Sequence, residues 1–323
     1  MSTVDDPTFT IFVSTFNRRD LLTRVYDSLC AQTFRDFEWL IVDDGSNDGT
    51  SALVSRWQQV ADFPIRYFWQ ENAGKHVAFN LAMTEARGCF VAELDSDDAY
   101  FPDTLARFIE HWDSIPAERR HEFAGVVGLC HDQGGKLIGT RFPQDVLDSD
   151  ALDKVLRHRV KGDKRGFFRT DVLRAHPYPV FEGEKRVPAS LVWKRIARSY
   201  KMRYVNDILA IKTYQPGGIS ANSRLIRMTS PCGSRLYYLE ILTSQRKMPV
   251  ALTARYGINY VRYSLHAGMG LREQRKALGR TVLWLLCLLP AAIVCGRDRR
   301  GVEVRSSVST GSCADPVPRS EAT

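Results

Sequence analysis

Short apolar runs alternate with amphipathic stretches through the first half of this chain. The runs near 9–14, 38–43, 65–70, 89–94, 124–130 and 136–141 have the length and the β-branched and aromatic content of buried strands. Between and after them, segments near 20–32, 50–61, 74–86, 102–113 and 188–199 repeat apolar positions at helical spacing. In the first of these, Leu21, Leu22, Val25 and Leu29 form the core face, and Asp20 stands where a cap is wanted. In the last, Leu191, Trp193 and Ile196 form the apolar face. Alternation of this kind predicts an α/β domain with a parallel sheet covered by helices on both faces. No internal repeat and no low-complexity block interrupts the pattern.

Three of the runs end in polar residues that a turn alone does not require. Phe90-Val91-Ala92-Glu93-Leu94 runs into Asp95-Ser96-Asp97-Asp98, an acidic D-x-D-D. Like charges this close repel, and each raises its neighbour's pKa. A divalent cation relieves the repulsion. Oxygen ligands suit Mg²⁺ or Mn²⁺, which also grip phosphate oxygens. The segment therefore reads as a metal–diphosphate site at a strand end; the plainer reading is a solvated acidic turn ahead of a helix starting near Pro102. A second acidic strand end follows Glu38-Trp39-Leu40-Ile41-Val42, in Asp43-Asp44-Gly45-Ser46-Asn47-Asp48-Gly49-Thr50. Gly and Asn make the turn, and Asp48 or Thr50 caps the next helix. Neither explains two adjacent acids directly behind a buried strand. A carboxylate there can accept a hydrogen bond from a ring N–H such as a uracil imide. The first strand, Phe9-Thr10-Ile11-Phe12-Val13, passes into Ser14-Thr15-Phe16-Asn17-Arg18-Arg19, which offers hydroxyl, amide and guanidinium donors. In open α/β sheets this carboxyl edge is where ligands bind.

These motifs are S-T-F-N-R from Ser14, T-F-R-D-F-E-W from Thr33 with D-D-G-S from Asp43, N-A-G-K-H-V-A-F-N from Asn72, and L-D-S-D-D from Leu94. Their order is that of the family 2 glycosyltransferases, which the chain resembles over residues 7–220. The resemblance implies the GT-A fold, a Rossmann-like nucleotide-diphospho-sugar transferase fold, here with a helical C-terminal extension. It implies an inverting glycosyltransferase that moves a sugar from a nucleotide-diphosphate sugar, a UDP-sugar favoured, to a hydroxyl of a glycan or lipid-linked acceptor in cell-envelope polysaccharide synthesis. By the same resemblance Asp97 is the direct ligand of Mg²⁺ or Mn²⁺, and Asp95 reaches the ribose or a metal-bound water. Ser14, Asn17 and Asp44 line the base pocket, with Asp44 on the imide. Lys75 adds a cation near the base or diphosphate, or else is an exposed lysine at a helix start. His76 beside it reads as a capping or solvated residue.

The general base must come from elsewhere. Pro179-Val180-Phe181-Glu182-Gly183-Glu184-Lys185-Arg186 places two carboxylates around a glycine, ahead of the helix near 188–199. In the family, an acid after a glycine at the start of this helix deprotonates the acceptor. Glu184 fits that position and Glu182 is the reserve; Lys185 stands where the commoner G-E-D pattern has an aspartate. A glutamate base works near neutral pH when partial burial raises its pKa. Tyr214-Gln215-Pro216-Gly217-Gly218-Ile219-Ser220 is either a flap over the donor or an ordinary loop.

Composition then bounds the rest. The 323 residues, 44% hydrophobic and 25% charged, suffice for a glycosyltransferase domain over 1–220, a helical basic extension over 221–300 and a tail over 301–323. The tail, rich in Ser, Pro, Gly and Thr, is expected to be disordered. The seven cysteines are scattered without a C-x-x-C pair, against a zinc site. Met1–Pro7 has no basic and apolar leader, so a cytoplasmic chain with reduced thiols is expected. The net charge of +8 is uneven: from residue 251 onward eleven Lys/Arg face five Asp/Glu. There the apolar run Thr281–Cys295, broken by Pro290, is shorter than the roughly 20 residues that span a bilayer. Arg272, Arg275, Lys276 and Arg280 precede it, and Arg297, Arg299 and Arg300 follow. Basic flanks on both sides suggest a segment lying in or dipping into the inner membrane leaflet, peripherally on its cytoplasmic face. The alternative is a buried helix closing an apolar groove. No basic platform interleaved with aromatics is visible, so nucleic acid is not an expected partner. Two rival activities share the fold. A sugar-phosphate nucleotidyltransferase would carry a Gly-rich loop after the first strand, where this chain has S-T-F-N-R-R. A catalytically silent nucleotide-sugar binder would need the base to have failed.

Overall fold

The structure is a computed structural model that describes residues 6–214, 223–244 and 246–303. The turn expected as a flap lies outside the described residues beyond Tyr214, as does the tail beyond Glu303. The chain divides into two compact units, Met1–Tyr178 with Val192–Pro216, and Pro179–Leu191 with Gly217–Thr323. The segment carrying Glu184 therefore belongs to the second unit.

The first unit is a nine-stranded sheet. Its strands are β1 (Phe9–Thr15), β2 (Phe37–Asp43), β3 (Ile65–Trp69), β4 (Phe90–Glu93), β5 (Ala99–Tyr100), β6 (Phe123–Asp132), β7 (Val146–Ser149), β8 (Arg165–Arg169) and β9 (Lys201–Lys212). The helices along it are α1 (Arg19–Cys30), α2 (Thr50–Val60), α3 (Lys75–Glu85), α4 (Thr104–Asp113), α5 (Ala151–Leu156) and α6 (Thr170–Arg174), followed by the short α7 (Ser190–Ile196). The sheet order is β3-β2-β1-β4-β8-β6-β9-β5, with β7 on β9. The first four strands pair in parallel, as strand–helix alternation demands. Beyond them the sheet is mixed: β8 runs antiparallel to both β4 and β6, and β9 antiparallel to β5 and β7. The expected all-parallel sheet is corrected to that extent.

The strand expected over 136–141 does not form either. A single bridge, Leu137 with His131, flanked by Asp132 N on Lys136 O and Ile138 N on Cys130 O at 2.9 Å each, is all that pairs, and Gly139 has φ +77° with Lys161 O at 2.0 Å from where a Cβ would stand. That backbone is a tight turn, and the sheet takes β8 and β9 instead. Two glycines let β8 in: a Cβ on Gly125 would lie 2.0 Å from Phe167 O, and one on Gly166 2.1 Å from Val126 O. Phe167 of β8 then sits at the centre of the core, with ring centroids 5.4, 4.7 and 5.3 Å from Phe9, Phe90 and Phe108. Burying such a ring stabilises by about 1.5–3 kcal/mol, more with edge-to-face neighbours.

Small departures at the helix starts have local causes. Asp20 lies in the first turn of α1, not at its cap; the backbone N–H of Arg19 donates to Asp48 Oδ2 at 2.9 Å. The other oxygen of Asp48 accepts from the N–H and hydroxyl of Thr50, at 3.1 and 2.6 Å. One carboxylate thus serves two helix N-termini, and its interactions with Thr50 and Arg19 outweigh burial to hold its pKa below the usual range.

The second unit is helical: α8 (Ser223–Met228), α9 (Pro231–Leu242), α10 (Val250–His266), α11 (Leu271–Leu278) and α12 (Thr281–Glu303). Its core gathers Tyr238, Leu242, Tyr260, Tyr263, Trp284, Cys287 and Ala291. α12 lies so close on α10 that a Cβ on Gly257 would stand 2.6 Å from Cys287 Sγ. At its far end Asp298, wholly buried, meets Arg262 at 2.5 Å and His266 at 3.0 Å. The apolar run thus extends into a 23-residue helix with Pro290 inside it. Thr281–Arg300 has a mean hydropathy of 1.6 and is long enough to cross a membrane.

Candidate active site at the carboxyl edge of the sheet

The chain leaves β1 toward β2 and β3 on one side and returns to β4 on the other, so the β1/β4 boundary is a topological switch point. Phe12 lies opposite Glu93, and Leu94 N donates to Phe12 O at 3.0 Å. This register brings Ser14–Arg18 and Asp95–Asp98 to one edge. Ser14, half-buried, is the last residue but one of β1, opposite Val42.

The acids at this edge are met by cations of the chain itself. Arg165 of β8 pairs with both Asp95 and Asp98, the latter at 2.5 Å. Lys212 of β9 lies 3.2 Å from Asp95 and 3.7 Å from Asp98. Lys75, at the start of α3, bridges Glu93 at 2.8 Å and Asp95. Arg18 reaches Asp97 Oδ2 at 3.2 Å and Ser96 Oγ at 3.3 Å. Burial alone would raise the Asp95 carboxyl, but Arg165, Lys75 and Lys212 hold it well below the usual range. Asp97 goes the other way: burial, with Asp98 and Asp95 beside it, raises its pKa against the pull of Arg18. Lys75 thus stands at this edge, and Arg165 and Lys212, which the sequence reading missed, pair with the same acids. A run of three acids at a buried strand end is itself the signal that basic partners must come from other strands.

The second acidic end is built differently. Asp43 accepts from Tyr67 Oη at 2.6 Å and Ser46 N at 2.8 Å. Asp44, 5% exposed, accepts at Oδ1 from Gln70 Nε2 (2.7 Å) and Ala73 N (2.9 Å), and at Oδ2 from Gly74 N (2.9 Å) and Asn72 Nδ2 (3.3 Å). The residue assigned to the base imide thus organises the 70–74 loop, whose Gly74 has φ +98°. Asn17, at φ 49°, ties the two loops together: its N–H donates to Ser46 Oγ at 2.8 Å and its side-chain oxygen accepts from Asn47 N at 2.9 Å.

Thr15 in β1 and His76 in α3 carry orphaned polar atoms. Thr15 Oγ1, at the end of β1, is buried without a partner. So are both ring nitrogens of His76, which is 3% exposed and not the solvated residue expected. Burial lowers its pKa to about 4, with Asp44 pulling weakly the other way. Buried polar atoms without partners are uncommon.

Glu184 and Glu182 differ sharply. Glu182 is exposed, whereas Glu184 is 8% exposed and accepts from Cys232 N at 2.6 Å and Gly233 N at 2.9 Å, in the first turn of α9. Burial raises its pKa, and those two N–H groups bring it part of the way back. Among the described residues no group of three or more His, Cys, Asp and Glu is placed to hold a metal ion by itself.

Residues 10–119 match the family model "Glycosyl transferase family 2". An uncharacterized glycosyltransferase of Nostoc sp. is 35% identical over 121 residues, 38% of this chain and 35% of that protein. The GalNAc(5)-diNAcBac-PP-undecaprenol beta-1,3-glucosyltransferase of Campylobacter jejuni is 34% identical over 147 residues, 45% of each. The chain thus spans less than half the length of these relatives. The crystal structure of S. aureus TarS 1-349 in complex with UDP-GlcNAc follows the fold with TM-score 0.63 at 17% identity, covering 91% of this chain and 92% of that one. The matched residues hold β1 from Thr10, β2, β4 and every acid of their carboxyl ends; this part of the chain is similar to glycosyl transferase family 2, and the chain has the GT-A fold.

Proposed function

We propose that this chain is an inverting glycosyltransferase of cell-envelope glycan synthesis, moving a sugar from a nucleotide-diphosphate donor to a hydroxyl of a glycan or lipid-linked acceptor. The observation that carries the reading is the D-x-D-D edge at the β1/β4 switch point, inside the family match. A UDP-sugar is favoured, in keeping with the UDP-GlcNAc held by TarS, and a lipid-linked acceptor with the undecaprenol in the Campylobacter enzyme's name. Cytoplasmic work at the inner leaflet is part of this reading.

The donor set at the edge fits a cation shared with a diphosphate rather than one caged by protein, since Mg²⁺ is commonly held by one or two carboxylates plus phosphates. Asp97 would hold Mg²⁺ or Mn²⁺, which when bound supplies charge neutralisation to the departing diphosphate. Arg18, now on Asp97, is within reach of the same edge to pair with phosphate. Lys75 holds Asp95 fixed and presents positive charge beside it. Ser14 and Asn17 supply the edge on which base and ribose rest, while Asp44 keeps the loop that faces them in shape. Glu184 takes the acceptor proton, its raised pKa suiting a base near neutral pH and its carboxylate aimed by two N–H groups. In-line attack with a single base inverts the anomeric centre.

One observation favours a second reading, a silent nucleotide-sugar binder: both Glu184 oxygens are engaged at the start of α9. The test is a thermal-shift titration with UDP, GDP and dTDP, each with and without Mn²⁺. A metal-dependent rise with one nucleotide, lost in Asp97→Ala, is expected. No rise with any nucleotide, in a chain that melts cooperatively, overturns the donor site.

A further inference from the structure

The outer face of α12 carries chemistry that the first unit does not use. At about 100° per residue, Trp284, Cys287, Ala291, Cys295 and Asp298 fall on one side of the helix, and all of them are buried on the second unit. Val282, Leu285, Leu286, Leu289 and Ile293 fall on the other, within an arc of about 100°. Their exposures are 71, 57, 71, 71 and 50%. Five large aliphatic side chains in one stripe are more than a soluble surface scatters by chance.

Charge says what covers the stripe. Arg280 precedes the helix and Arg297, Arg299 and Arg300 close its far end. Beside the start of α12 is a cleft of about 690 Å³ lined, among the described residues, by Arg246, Lys247, Arg280, Thr243 and Ser244 with apolar neighbours and no acidic side chain. Apolar residues flanked by arginines and a cationic, hydroxyl-bearing cleft match the acyl boundary and phosphate headgroups of an anionic bilayer. A span is disfavoured by the packing. Insertion would pull the helix off Gly257 and break the wholly buried Asp298–Arg262 pair.

We infer that the second unit docks on an anionic membrane surface, with α12 lying in the interface by its Val282–Ile293 stripe and Arg246, Lys247 and Arg280 holding lipid phosphates. This deepens the inner-leaflet half of the function proposed above by naming the surface and the lipid class.

The test is co-sedimentation of the full chain with vesicles of phosphatidylcholine alone, or with one-third phosphatidylglycerol, in the absence of nucleotide and metal. Failure here leaves donor binding untouched, and failure of donor binding leaves this assay untouched. Strong partition onto phosphatidylglycerol vesicles, abolished by high salt, is expected. Leu286→Glu/Leu289→Glu should weaken it about a hundredfold, at roughly tenfold per leucine. Arg246→Ala/Lys247→Ala/Arg280→Ala should weaken it by a similar factor, at about fivefold per charge. If the leucine pair unfolds the chain, Val282→Ser/Ile293→Ser reads the same face. Equal binding to both vesicles, no loss in the stripe variants, or release only by detergent overturns the proposal. So does a dimer in sedimentation velocity that the stripe variants break, which would give the face to a second copy.

Discussion

Glu184→Gln separates the base role proposed above from the capping role that the geometry gives the same carboxylate. Pro231 opens α9 without an N–H, so Cys232 and Gly233 hold the next free donors, and Glu184 takes both. The glutamine oxygen can serve one of them, while its NH₂ faces the other. The variant therefore loses one charge-assisted bond and the negative charge at a helix N-terminus. Together these are worth about 2 kcal/mol, of which sparing the variant a buried charge returns a part. Removing a general base lowers turnover by roughly 10²–10⁴-fold. Urea unfolding followed by circular dichroism measures the first effect; nucleotide release from the donor measures the second, with donor affinity as the control. Both losses are expected, at unchanged affinity. The pH dependence adds a sign. The raised pKa means the native state holds more protons than the unfolded chain between the ordinary glutamate value and the folded one. Stability from this group therefore falls as pH rises through that window, and the variant lacks that slope. Unchanged turnover with lowered stability would leave Glu184 a cap only, and the same assay on Glu182→Gln then decides whether the exposed glutamate is the base. Unchanged stability would refute the capping argument.

Three further outcomes follow from buried contacts. Asp98→Asn removes the charge facing Arg165 and Lys212 at a wholly buried position and should cost about 3 kcal/mol in urea unfolding; an unchanged midpoint would show that Asp95 alone suffices. His76, whose pKa falls from 6.5 to about 4, binds fewer protons when folded, so stability drops on acidification from pH 6.5 to 4 by on the order of 3 kcal/mol. His76→Leu should flatten that slope and, freed of two orphaned nitrogens, be more stable at pH 5 by about 1–2 kcal/mol; an equally steep profile would place the slope elsewhere. Gly257→Ala should cost about 1–3 kcal/mol by overpacking against Cys287, and Cys287→Ala in the same chain should recover most of it; additive losses would contradict the close approach.

The parallel half of the sheet was legible because β1, β2 and β4 are mostly apolar runs that stop at polar turns, acidic ones after β2 and β4. The antiparallel half was not. Arg165-Gly-Phe-Phe-Arg reads as a basic loop until the partners of Asp95 and Asp98 are sought, and Lys201–Lys212 begins and ends in lysine. Both strands use charge where β1 uses aliphatics, because they deliver cations to an acidic edge. Lys136-Leu137-Ile138 imitates a strand, yet Gly139 turns the chain away from it. Glu184 is singled out by a family pattern, an acid after a glycine, that says nothing of the α9 N-terminus to which it bonds. His76 looked like a solvated helix start because its neighbour Lys75 is charged, whereas a 100° turn of the helix is enough to put the ring inside.

The bonds of Asp44 have a consequence for timing. The loop over 70–74 is fixed by four donors on one carboxylate before anything arrives at the edge. Its conformational entropy is lost when the chain folds, not when a ligand binds, so a ligand reading this edge meets a rigid wall. Such a wall discriminates by shape at the moment of encounter and does not adapt. On the donor site proposed above, a change of nucleotide preference would therefore require residues 70–74 to be redesigned together with Asp44, as one block.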